Sequence, residues 1–107
     1  MTKVRVEPGI CGFTTLITAD SEDGMMATLS VDSKCGRIQK LVEGLDEEIN
    51  AYSVCMPNPG QKPFPAQLFE DNELHAACPV VAGIVKAIEA ECGLALKKDV
   101  QISFVND

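Results

Sequence analysis

Residues 13–31, FTTLITADSEDGMMATLSV, decide the fold. The run from Phe13 to Ala19 suits a pleated strand, with Thr14, Thr15, Ile17 and Thr18 supplying branched side chains. Asp20, Ser21, Glu22, Asp23 and Gly24 then make a polar turn. Met26 to Val31 resumes as another strand, with Ala27, Leu29 and Val31 on one face. Strands joined by so short a link pair antiparallel, because a parallel return needs a long crossover. Upstream, Lys3, Val4, Arg5, Val6 and Glu7 alternate as a half-buried strand closed by Pro8 and Gly9. The three runs together predict a meander.

The pattern then changes period. Ile38, Leu41, Val42 and Leu45 fall at i, i+3, i+4 and i+7, one stripe of an amphipathic helix that follows Ser33 as N-cap and ends near Gly44. Asp46, Glu47 and Glu48 open a short solvated turn before Ile49 and Tyr52. From Met56 to Pro65 the chain holds Pro57, Pro59, Gly60, Pro63 and Pro65, which forbids regular helix and predicts a surface loop. Gln67 to Ala77 is expected to form a short helix. A further helix starts with Pro79 in its first turn, buries Val81, Ile84, Val85, Ile88 and Cys92, and stops at Gly93. Leu94 to Lys98 lead to a last strand in which Val100, Ile102 and Phe104 alternate with polar residues. The order β-β-β-α-(α)-α-β predicts an α+β fold over residues 1–107. It is a two-layer sandwich, with a mainly antiparallel sheet and helices on one face of a single domain.

Nine Lys and Arg against 16 Asp and Glu give a formal net charge of −7 in 107 residues. No basic cluster exists to track phosphates, which excludes a nucleic-acid-binding surface of the usual kind. Hydrophobic residues make up 46%, enough for a packed interior. Met1 to Pro8 has alternating charge and no apolar run of the signal-peptide kind, and no stretch approaches the roughly 20 apolar residues of a membrane span. The expectation is a cytoplasmic protein with no membrane segment. A homo-oligomer is compatible with this composition.

Five cysteines in so short a chain are the one compositional excess. In a reducing compartment they read as thiols rather than a disulfide framework, and an odd count leaves one unpaired in any case. Cys92 lies on the apolar stripe of the last helix and is expected in the core. The other four share another setting. Cys11 precedes Gly12 in a loop, Cys35 sits in the first turn of a helix between Lys34 and Gly36, Cys55 opens the proline loop, and Cys78 precedes Pro79 at a helix start. Helix N-termini present free N–H groups and partial positive charge, and both favour the thiolate that binds metal or attacks an electrophile. Cys11, Cys35, Cys55 and Cys78 are therefore candidate ligands of one iron–sulfur cluster or zinc ion. Their spacings, 24, 20 and 23 residues, contain no C-x-x-C pair.

His75 is the sole histidine, three residues before Cys78, and reads as a solvated or capping side chain. No glycine-rich phosphate loop, H-E-x-x-H, G-x-S-x-G or EF-hand pattern is present. The acidic groups near Asp20, Asp46 and Glu70 are expected to face water.

Two resemblances attach to these residues. Ala77-Cys78-Pro79, Gly83-Ile84, Lys86-Ala87-Ile88-Glu89, Gly93-Leu94-Ala95-Leu96 and Asp99-Val100, together with Cys11-Gly12-Phe13, resemble a small uncharacterised family of bacterial and archaeal proteins of about this size. That resemblance implies a fold only. Cys78-Pro79 at a helix start, followed by helix and then strand, is similar to the SirA/TusA-type sulfur carriers, which implies a persulfide-carrying thiol at Cys78.

Three functional readings follow. The first is cysteine-ligated metal binding through Cys11, Cys35, Cys55 and Cys78. The second is a thiol or persulfide carrier, or a redox protein, using Cys78. The third is a protein-interaction module whose cysteines are structural.

Overall fold

The computed structural model describes residues 1–56 and 59–106. Strands β1 (Thr2–Val6), β2 (Thr15–Asp20) and β3 (Met26–Asp32) form the expected meander, and a two-residue strand β4 (Ile49–Asn50) completes a sheet in the order β1-β2-β3-β4. Every neighbouring pair is antiparallel. Helices α1 (Gly36–Glu43), α2 (Ala51–Cys55), α3 (Phe64–Asp71) and α4 (Val80–Glu91) cover one face. The fold is α+β with two layers, as the two periodicities require.

Register explains which face is covered. Val4 lies opposite Ile17, and Ile17 opposite Val31, so the inward-pointing residues of three strands form one apolar row. The next row, Arg5, Leu16 and Asp32, points the other way and is exposed. Helix α4 closes the inward face across β1 and β2 with Val80, Val81, Ile84, Ala87 and Ile88. Ile38 and Leu41 of α1 join the same core. Burying each of these large aliphatic side chains contributes about 1.5–3 kcal/mol. Gly83 lets α4 approach the sheet: a Cβ there would stand 2.5 Å from Val6 Cγ2 and 3.0 Å from Ile17 Cδ1.

Helix α4 ends in a Schellman motif. Gly93 takes φ of +73°, Leu94 N–H donates to the Glu89 carbonyl at 2.8 Å, and Gly93 N–H reaches that of Ala90 at 3.4 Å. Past this stop the structure departs from expectation. Residues 95–106 form no strand, although Val100, Ile102 and Phe104 alternate as a strand would, and the segment is exposed throughout. Alternation prepares one face of a strand, but a strand exists only by pairing its backbone groups with a neighbour. The fourth strand of the sheet is Ile49–Asn50 instead.

Smaller corrections have local causes. Cys35 is the N-cap of α1 rather than a first-turn residue; Ser33 acts two residues earlier, its Oγ accepting the Cys35 N–H at 3.2 Å. Pro79 likewise caps α4 from just outside. Helix α2 arises where only a turn was expected, because Asn50 Oδ1 accepts the N–H groups of Tyr52 and Ser53 at 2.9 and 3.2 Å. Helix α3 begins at Phe64, so Pro65 belongs to its first turn, where a missing N–H costs nothing. Of the expected proline loop, Pro57 and Asn58 lie outside the described residues.

Candidate functional site

The four candidate thiols occupy four different features of the fold. Cys11 is exposed in the link between β1 and β2, within a turn in which Gly12 N–H donates to the Gly9 carbonyl at 3.0 Å. Cys35 caps α1, half-buried against the core. Cys55 ends α2 and packs on the core edge. Cys78 lies in the turn before α4, where its N–H donates to the His75 carbonyl at 3.0 Å. His75 is itself exposed, as expected of a solvated side chain.

The structure does not draw this quartet together. Among the described residues, no three His, Cys, Asp or Glu side chains gather into a group able to hold a metal ion. Cys55 instead has as neighbours Cys92, the residue assigned to the core, and Glu89. Burial, together with those two neighbours, pushes the Cys55 thiol up to about 11. Such a thiol is protonated at neutral pH and is a poor nucleophile or ligand. Cys35, Cys55, Cys78 and Cys92 all pack at the margin of the apolar core, the place of small hydrophobes.

Among the described residues, two hollows bear on the sheet. One, about 490 Å³, lies on the open face of the sheet, where Arg5, Leu16 and Asp32 stand in register beside Phe13 and Lys34. The other, about 330 Å³, is a groove along β3. Leu29, Val42 and Leu45 line it, with Thr28, Asp46 and Glu47. Beside it β3 is unpaired, because β4 reaches only Met26 and Ala27. Residues 28–32 are hydrogen-bonded to β2 on one side and, among the described residues, to no strand on the other. At the opposite end of the sheet β1 is also an open edge.

The segment after α4 is the other unusual feature. Leu96, Val100, Ile102, Phe104 and Val105 are between 67% and 106% exposed. Sequence reasoning found their alternation but assigned it to the chain's own sheet. The period-2 pattern signals a strand and is silent on which edge receives it. Lys97 and Lys98 precede this alternating stretch.

Residues 2–104 match a family of unknown function, DUF6951, and the match takes in the alternating segment as far as Phe104. No curated protein and no solved structure matches the chain. The likeness of Cys78-Pro79 to sulfur carriers is thus confined to the local sequence.

Proposed function

The chain belongs to this family of unknown function, and from its geometry we propose that it is a protein-interaction module. It joins its partner by donating residues 95–106 as a strand, and its cysteines serve mainly as packing at the core margin. The exposed, alternating segment carries the reading. Five large apolar residues without cover are costly to leave in water, and they sit on a segment that forms no helix or strand of its own. Strand addition satisfies both needs at once, since main-chain hydrogen bonds give affinity and alternate side chains give specificity. The metal-centre and sulfur-carrier readings have no feature of comparable weight, because the thiols they need lie apart or at the edge of the core.

A photo-crosslinking amino acid placed at Phe104, with a control at exposed Glu22, tests this in cells expressing the full chain. The reading expects an adduct of higher mass from position 104 and none from position 22. No intermolecular adduct at position 104 would sink it.

A further inference from the structure

Resting on that reading, we propose that the partner is a second copy of this chain. Each protomer lays its residues 99–104 along the free edge of the other's β3, with the apolar side chains of Val100, Ile102 and Phe104 over the groove between β3 and α1.

Three features of donor and acceptor agree. The first is length: the unpaired part of β3, residues 28–32, takes five residues, and residues 99–103 fill it with Val100 beside Leu29 and Ile102 beside Val31. The second is pattern. Leu29 belongs to the inward row of the sheet and borders the groove with Val42 and Leu45. A strand that turns Val100, Ile102 and Phe104 to that side extends the apolar layer, and Gln101 and Ser103 then face water. A slip of one residue would reverse this, so the register is specified.

The third feature is charge. Asp46 and Glu47 border the groove at its Thr28 end. Lys97 and Lys98 stand just ahead of the donor strand, followed by a single Asp99, in a chain whose net charge is −7. Placing the lysines against Asp46 and Glu47 sets the donor parallel to β3, entering beside Thr28 and leaving beside Asp32. A parallel edge strand on an otherwise antiparallel sheet is a common arrangement.

A chain does not serve its own groove here. Helix α4 packs across β1 and β2 and ends at the turn between β2 and β3, where Glu91 bonds to Thr2 and Ser21. The donor segment leaves from this end and is exposed along its whole length. A two-fold exchange makes both contacts equivalent and closes the assembly at two copies, so that neither donor strand is left free.

Sedimentation of the full chain across the micromolar to millimolar range tests the proposal, with crosslinks from position 104 mapped to residues. The expected result is a dimer whose crosslinks fall on residues 28–32 and 42–47 of the other protomer. The double variant I102D/F104D should be a monomer with an unchanged circular dichroism spectrum, because both side chains are exposed in the protomer. D46K/E47K should weaken dimerisation about tenfold, and adding K97E/K98E should restore it, the size expected of rim charge pairs counted twice by symmetry. A monomer at every concentration, with position 104 crosslinked to a different protein, overturns the second copy while leaving the interaction reading in place. A monomer with no intermolecular adduct overturns both. A dimer indifferent to I102D/F104D, or crosslinked through β1, overturns the assignment to β3.

Discussion

Glu91, the last residue of α4, accepts a hydrogen bond from the Thr2 hydroxyl at 2.7 Å across 89 positions of sequence. Its other carboxylate oxygen accepts the Ser21 N–H at 3.1 Å, and the Met1 amino group stands 3.2 Å away. One side chain thus ties the helix layer to β1 and to the turn after β2. The Thr2 hydrogen bond first, then the amino group and the Ser21 N–H, hold the Glu91 carboxyl below the usual range against its burial. A carboxyl lowered on folding stabilises the protein above its unfolded value, and the gain disappears as pH falls through the folded value. Melting temperature should therefore drop on acidification below the ordinary glutamate range, and less steeply in Glu91→Gln. At neutral pH, Glu91→Ala should cost about 1–2 kcal/mol in urea unfolding, the worth of hydrogen bonds to a charged group at a partly exposed site.

Gly83 should tolerate no branched side chain. Its missing Cβ is what lets α4 sit on Val6 and Ile17. Overpacking of a tight contact costs about 1–3 kcal/mol, and valine recovers little of glycine's helix penalty. Gly83→Val is expected to lose about 2–3 kcal/mol in chemical denaturation while keeping its helix content. An unchanged midpoint would show that the two layers slide apart at low cost.

These two contacts also show how far the sequence reaches. The meander of β1, β2 and β3 was legible, because strand-like runs joined by short links are most simply neighbours in one sheet. The stop at Gly93 was legible because the left-handed backbone conformation favours glycine. Ile49–Asn50 was not, since two residues are too few for a period, and only Met26 and Ala27 across the gap make them a strand. Val100, Ile102 and Phe104 were recognised by pattern and misplaced by partner, for alternation carries no address. The cysteines fared worse for a similar reason. Helix starts at Cys35 and Cys78 are local features, whereas convergence depends on distances set by the whole fold. The same fold put Cys55 beside Cys92, a pair 37 positions apart that no spacing rule would select.

Thiol reactivity should separate the cysteines sharply. Cys11 is exposed in its loop, while Cys55 is shielded and raised to about 11. At pH 8 roughly one Cys55 in a thousand is thiolate, the reactive form. Alkylation followed by peptide mass spectrometry should label Cys11 first and Cys55 last. A thiol raised on folding favours the neutral form in the native state. Its contribution is full below the unfolded thiol value and is lost as pH climbs towards 11. Stability should accordingly fall on the alkaline side, and Cys55→Ala should flatten that fall. Rapid labelling of Cys55 at neutral pH would contradict the packing of α2 against α4.

Chelation should leave the fold intact. The core is closed by aliphatic contacts among Ile17, Ile38, Leu41, Ile84 and Ile88, all at most 1% exposed, and Cys35, Cys55, Cys78 and Cys92 only flank it. A structural metal centre supplies folding energy directly, so its removal unfolds a small domain that depends on it. Here the melting temperature is expected to be the same before and after EDTA treatment, and after zinc or anaerobic iron and sulfide are added back. The Cys11→Ser and Cys78→Ser variants should melt with the parent protein, as Cys11 is exposed in its loop and Cys78 sits at the core margin. A rise of more than about 4 °C on adding metal, which in a domain of this size reflects about 1 kcal/mol, would show the thiols meeting around an ion after all. That result, lost in both serine variants, would return the function to the cysteines.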